Sequence, residues 1–468
     1  MQGRQGKLDG VRLRTEEKQT QQLVAYVQDT RGGGIGGLTF ALALGDCKSL
    51  QVDLYEAAPR LAEKGAGITL WERGWQIMKR LGVQADMDGL LQSPRNDTEA
   101  LTFEFRKGDQ EPGESFYQLF LKGGPINYHR AELQSVLLKH ISPACRFHLS
   151  RRLSSYSERE DGVHLKFEDG TTATCDILVA ADGIKSVARG NMMEDQAKAA
   201  DAQGDDASPY LQCIQPFFSG SVAYRGLVRS SILRECMPDH RTLTTPTQYW
   251  GKNKHLIVYP ISQGRFVNVV AFCSDPKTEG TVYDKPWTRV AEKDELLKQY
   301  ETWETEVKVL LKCLDDPTMW AIHALKPLRS YVSSRVVLIG DAAHAMTPHQ
   351  GAGASQAIED AYILAALVNN PRCTIASVPD VLRIYDSIRQ PFGNRVQAAS
   401  RHQGQCYELN GPGFAHILPG DKSVTSEALR TLLQDLIKGW NWQWSCSAET
   451  DKEQALSKLC EIDLRRAG

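Results

Sequence analysis

The residues able to do chemistry gather in three turns. The first, Gly32-Gly-Gly34-Ile-Gly-Gly37, satisfies the G-x-G-x-x-G spacing. In such a turn Gly32 makes the tight bend and Gly34 lets the backbone approach a pyrophosphate. Gly37 lets the next helix close on a sheet, and that helix points its N-terminus at the negative charge. Glu56 follows Gly37 by 19 residues and ends the next strand-like run, where a carboxylate can accept from a ribose hydroxyl. The second turn, residues 181–189, carries Asp182 and Gly183. The third, residues 340–354, carries Asp341, His344, Pro348, His349, Gly351, Gly353 and Ala354. Asp341 at a strand end can accept from a sugar-alcohol hydroxyl. The Gly351 to Ala354 turn opens a helix whose free N–H groups suit an anion or a polarised carbonyl. Each turn alone is also what a capped strand–turn–helix looks like. Three in this order, each after an apolar strand, are hard to obtain by chance. His344 and His349 lie five residues apart with no third ligand beside them, so a structural role is expected and no metal site.

Such turns need a sheet beneath them. Residues 23–27 and 51–55 read as strands around a helix of small and apolar residues through Leu44, a βαβ start. Residues 176–181 and 335–339 each carry, after one charged residue, a continuous apolar run of the kind buried in a parallel sheet. Helical spacing marks 74–82 and 130–140, and the rest of 100–170 alternates like strands. Residues 190–209 are acidic and small, which predicts a surface loop or linker. Strand patterns dominate from about 212 to 275, notably 255–260 and 265–272. A helix is expected over 287–313, a long apolar helix from Ser355, and an amphipathic helical tail over 410–468. One feature departs from a regular start. Four polar residues, Gln28 to Arg31, separate the first strand from Gly32 and would cover about 13 Å if extended. Either the strand bulges there, or residues 1–31 stand in for the usual strand.

Composition excludes several classes. With Lys+Arg 55 against Asp+Glu 57, the net charge is −2, so no polycationic surface for nucleic acid or anionic membrane is expected. Residues 1–22 hold no apolar core of a secretory signal, and the apolar run 362–368 is far short of the ~20 residues of a spanning helix. The 11 cysteines contain no C-x-x-C pair, which argues against a disulfide framework or zinc site and for a reducing, cytoplasmic compartment.

With these motifs in this order, the chain resembles the class A FAD-dependent aromatic monooxygenases of the salicylate-hydroxylase-like group, which includes fungal biosynthetic enzymes. The resemblance runs from about residue 31 to 405. It implies an α/β fold in which a Rossmann-like FAD-binding domain (23–210 and 325–405) is interleaved with a mixed-sheet substrate domain (211–324). A polar arm (1–22) precedes them and a helical segment (406–468) follows. It further implies that Gly32, Gly34 and Gly37 hold the FAD diphosphate and Glu56 the adenosine ribose. Ala66 and Gly67, in Gly65-Ala-Gly-Ile-Thr-Leu-Trp71, match backbone that passes the flavin, and Arg130 matches an FAD-contacting arginine. By the same resemblance Asp182 is expected to touch FAD and to support NAD(P)H use, and Asp341 and Ala354 to meet the ribityl chain and ring.

On the substrate side, Arg225 matches the family strand with a catalytic arginine, and Tyr259 matches the strand with a substrate-facing tyrosine. Arg225 can hold a phenolate or carboxylate by charge-assisted hydrogen bonds, and Tyr259 can polarise the same oxygen. The competing reading makes both of them ordinary strand residues. The activity implied is hydroxylation of a phenolic, salicylate-like or polyketide-derived aromatic with NAD(P)H and O2, through a C4a-hydroperoxyflavin. An epoxidase, a reductase, or a flavoprotein inactivated by its altered first strand stay open as alternatives. Trp440, Trp442 and Trp444 are expected to anchor the tail on the core.

Overall fold

The computed structural model describes residues 21–27, 34–47, 49–61, 67–91, 95 and 98–467. Five strands form an all-parallel sheet in the order Val336–Leu338, Ile177–Ala181, Gln21–Val27, Leu50–Tyr55, Arg146–His148. The apolar runs read from the sequence form two of its adjacent strands, Val336–Leu338 at one end and Ile177–Ala181 beside it: Ile177, Leu178, Val179, Val336, Val337 and Leu338 are all fully buried. The first strand is central, paired with Leu50–Tyr55 on one side and Ile177–Ala181 on the other. The polar insertion 28–31 lies outside the described residues.

Helix Ile35–Leu44 is apolar all round and buried, because it lies between the sheet and helix Gly353–Val368. The two helices approach closely at Ala357. A Cβ on Gly36 would stand 3.3 Å from the Ala357 Cβ, and one on Gly340 would stand 3.0 Å from it. Gly340 also has φ +60°, so both space and backbone require glycine there.

A second, eight-stranded sheet is mixed. Its order is Thr288–Val290, Thr318–Ala324, Phe217–Arg229, Phe266–Ser274, Lys254–Ile261, Thr247–Gly251, Glu99–Lys107, Glu114–Lys122. The hairpin at 99–122 thus joins strands that lie more than a hundred residues later. A three-stranded sheet over 153–175 and the pair Gly67–Leu70 with Ile126–His129 complete the β structure described.

Two expectations are corrected. Residues 190–209 are not a linker: helix Val187–Ala202 occupies most of them, with Ala188, Met192, Met193, Ala197 and Ala200 buried along one stripe. Its acidic residues lie on the outer face, and that polarity disguised the stripe. The helix expected over 287–313 is broken into strand Thr288–Val290 and helices Lys293–Gln299 and Thr305–Lys312. The tail is helical, over Ser426–Trp440, Trp442–Ser445 and Ala448–Ala467. Among the described residues no helix is long and apolar enough to cross a membrane.

Candidate active site

Because the five strands are parallel, the residues that follow them fall on one edge. Gly34 begins helix Ile35–Leu44, Glu56 follows Leu50–Tyr55, Asp182 follows Ile177–Ala181, and Asp341 lies three residues beyond Leu338. The strand order sets them along that edge as Asp341, Asp182, Gly34, Glu56. Three strand spacings separate the outer two, about 14 Å. Carboxyl edges of parallel sheets are where such folds bind nucleotides.

Each carboxylate is held differently. Glu56 is buried and its Oε1 accepts from the Ala58 N–H at 2.7 Å. Asp182 is buried, and its Oδ2 accepts from the Ala188 N–H at 3.0 Å, which caps helix Val187–Ala202. Burial raises the Asp182 carboxyl above its ordinary pKa, against the pull of the Ser186 hydrogen bond and the Arg189 charge. Asp341 is exposed, at the start of the short helix Asp341–His344. Arg189 ties the second turn to the third. Its guanidinium, fully buried, donates to the carbonyls of Cys213 and Ala342 at 3.0 and 3.1 Å. Burial lowers its pKa to about 10.

Arg130 opens helix Arg130–His140, directly after the strand that pairs with Gly67–Leu70. Ala354 is half-buried in the first turn of helix Gly353–Val368, and a Cβ on Gly353 would meet nothing within 4 Å. Gly37 is buried inside helix Ile35–Leu44. Gly32 and Ala66 lie outside the described residues.

Alternation along the large sheet gives it two faces. One carries Tyr224, Val228, Leu256, Val258, Val267, Val269 and Ala271, and these pack with Leu296, Val307, Leu310 and Leu311 from the helices. The other face carries Arg225, Tyr259, Asn268, His255 and Phe272. Arg225 pairs with Val270, which pairs with Ile257, and Tyr259 pairs with Asn268, which pairs with Leu227. Arg225 and Tyr259 therefore share a face, two strands and two positions apart, with strand Phe266–Ser274 between them.

Tyr259 is buried, and a Cβ on Gly67 would come 3.1 Å from its hydroxyl. The substrate-side tyrosine and the flavin-side glycine of the sequence reading are thus in contact. Burial raises the Tyr259 phenol above its usual pKa, while the Arg225 charge and a hydrogen bond with Thr69 pull it down. The Arg225 guanidinium lies 5.7 Å from the centre of the Trp320 ring.

Sequence reasoning treated His344 and His349 alike, and the structure separates them. His344 joins a buried ion cluster, with its Nε2 2.6 Å from Asp360 Oδ2. Arg389 reaches Asp360 at 2.7 Å and Glu359 at 2.9 Å, and Arg73 reaches Glu359 at 3.0 Å. His349 instead faces the large sheet, 5.1 Å from His255 and 5.2 Å from Phe272 between ring centres. The Glu408 carboxylate accepts from His255 Nδ1 at 3.0 Å. His255 Nε2 and His349 Nδ1 are buried and have no hydrogen-bond partner among the described residues. Burial, with His255 and Arg401 nearby, lowers the His349 pKa well below the usual range, so it is neutral at pH 7. No motif spacing signals this pair, since its members lie on a strand and a distant turn.

These residues fit FAD. The carboxyl edge offers a helix N-terminus between two carboxylates, open space fronts Gly353, and Trp71 Nε1 is a buried donor beside the Gly351 turn without a partner among the described residues. Residues 248–400 match the family model of an FAD binding domain. The chain is 36% identical to a salicylate hydroxylase of Pseudomonas putida over 435 residues, covering 92% of this chain and 93% of the relative. It is 31% identical to the 6-methylsalicylate 1-monooxygenase of Aspergillus terreus, covering 92% of both. A solved substrate complex of salicylate hydroxylase superposes with a TM-score of 0.77 at 33% identity, covering 94% of this chain and 98% of that one. The chain therefore belongs to the FAD-dependent aromatic monooxygenases, the family of salicylate hydroxylase.

Proposed function

We propose that this monooxygenase uses NAD(P)H and O2 to hydroxylate a phenolic, salicylate-like or polyketide-derived aromatic. The observation that carries the reading is the shared sheet face: Arg225 and Tyr259 lie on it across the strand Phe266–Ser274, and the Tyr259 hydroxyl lies next to Gly67. Arg225 then holds the substrate's phenolate or carboxylate as a fixed cation, and Tyr259, protonated at neutral pH, donates to the same oxygen. His255 and His349 border that face with ring nitrogens able to donate to or accept from the ring's oxygens. Bound FAD supplies the activation of O2 with electrons from NAD(P)H. Glu56 holds the adenosine ribose, the Gly32–Gly34–Gly37 turn the diphosphate, and Asp341 and Ala354 the ribityl chain and ring. Ala66, Gly67, Arg130 and Asp182 complete the contacts.

The domain division follows: 23–210 with 325–405 bind FAD, and 211–324 cover the substrate, with the 99–122 hairpin lent to the substrate sheet. The free thiols throughout the described chain suit a reducing cytoplasm.

The test is a panel of phenols, salicylates included, scored for both NAD(P)H oxidation and hydroxylated product. A phenol that stimulates oxidation and appears as hydroxylated product supports the reading. If alkenes but no phenols do so, the enzyme is an epoxidase and the reading fails.

A further inference from the structure

The tail reaches back to the turn that precedes helix Gly353–Val368. Gln350 ends the short helical turn Pro348–Gln350, and Gly351 follows with φ +59°. The Gln350 carbonyl accepts two hydrogen bonds, from Trp440 Nε1 at 3.1 Å and Gln443 Nε2 at 2.9 Å. Both donors are buried, 2% and 0% exposed. From the other side, the Gln350 N–H donates to Ser400 Oγ at 3.3 Å, and its side chain donates to Gln403 Oε1 at 3.0 Å. The same tail grips a second place. Trp71, which follows strand Gly67–Leu70, meets the Trp440 ring edge-on at 5.0 Å and the Trp444 ring at 5.4 Å. Its Nε1 lies 3.4 Å from where a Cβ would stand on Gly351.

Glycine accepts either sign of φ, so residue 351 alone does not lock the turn. Two donors on the preceding carbonyl do, because flipping that peptide would strand two buried N–H groups. We propose that the tail is a positioning part of the FAD site: Trp440 and Gln443 fix the Gln350–Gly351 peptide, and Trp440 with Trp444 fixes Trp71, so that the N-terminus of helix Gly353–Val368 is presented to the flavin. The inference rests on the FAD site and not on the identity of the aromatic substrate.

The experiment compares the full chain with Trp440→Phe, Gln443→Leu and the double variant. Trp440→Phe keeps a ring and removes the donor. Apoprotein is titrated into FAD, and affinity is read from flavin fluorescence. The absorption bands of the bound flavin and the melting of the apoprotein are recorded alongside. Trp442→Phe is the control, because Trp442 packs on Phe392 at 5.1 Å, and among the described residues the donors to the Gln350 carbonyl are Trp440 and Gln443. Each single variant is expected to weaken FAD binding about threefold to tenfold and the double variant more, with shifted flavin bands. The control is expected to keep parental affinity and bands. Parental affinity and bands in the double variant, or an equal loss in Trp442→Phe, would overturn the proposal. If the double variant does not fold, the two single variants decide it by the same readings. A parent chain that takes up no FAD would overturn the flavin site itself.

Discussion

At the scale of single residues, the contact between Gly67 and Tyr259 makes the clearest demand. A methyl group at 67 would crowd the Tyr259 hydroxyl, now 3.1 Å from that position. Gly67→Ala is therefore expected to behave like Tyr259→Phe. Each displaces or deletes one neutral hydrogen bond to substrate, ~0.5–1.5 kcal/mol, and lowers product per NAD(P)H severalfold at most. If Gly67→Ala is fully coupled while Tyr259→Phe is not, the two groups do not share a site. Glu56→Ala removes a charge-assisted contact with the ribose, ~1.5–3 kcal/mol, so FAD affinity should drop roughly tenfold to a hundredfold. Equilibrium dialysis checks this, and parental retention of flavin would remove Glu56 from the site. The place of Glu56 just past a strand was legible because that strand lies at a fixed distance from a glycine turn. The neighbours of His349 were not, because they come from strands far away in the sequence.

At the scale of elements, the third turn is held by charge. Gly340 N–H donates to Asp360 Oδ2 at 2.9 Å, so the buried carboxylate ties helix Gly353–Val368 to the turn that carries Asp341. Burial alone would raise the Asp360 carboxyl, but His344 and Arg389 outweigh it and hold it at about 2. Its pKa in the fold is thus below the ~3.9 of an unfolded chain. The stabilisation is present above about pH 4 and is lost as pH falls towards 2. Asp360→Asn leaves Arg389 with the Glu359 carboxylate alone and takes the carboxylate from His344, and should destabilise the protein by about 3–5 kcal/mol near neutrality. Denaturant titrations of parent and variant across pH should show that gap narrowing below about pH 4. A gap that widens with acid would contradict the assignment. The sequence announced the elements here, since apolar runs and glycine turns are local signals. It hid the cluster, whose charges come from Arg73, Glu359, Asp360 and Arg389 on three separate helices. It also hid helix Val187–Ala202 behind acidic composition.

At the scale of the whole molecule, the proposed function divides between two sheets: the carboxyl edge of the parallel sheet for the nucleotide and one face of the mixed sheet for the substrate. The two-stranded pair that carries Gly67 comes up against the mixed sheet at Tyr259. The first half was legible from three motifs, because residues that follow parallel strands share one edge, whereas the order along it comes only from the fold. The second was legible only as two strands, since the face that Arg225 and Tyr259 share depends on the intervening strand Phe266–Ser274. The claim that this face holds the aromatic ring is tested most directly by Arg225→Ala. The variant should bind FAD as the parent does, because the FAD contacts lie on other elements. It should still consume NAD(P)H, but a misplaced ring can cost about a hundredfold in the transfer step. The measurement is hydroxylated product formed per NAD(P)H oxidised, with peroxide counted, on a phenol that the parent accepts. The account predicts normal flavin content, abundant H2O2 and little product; parental coupling in Arg225→Ala would contradict it.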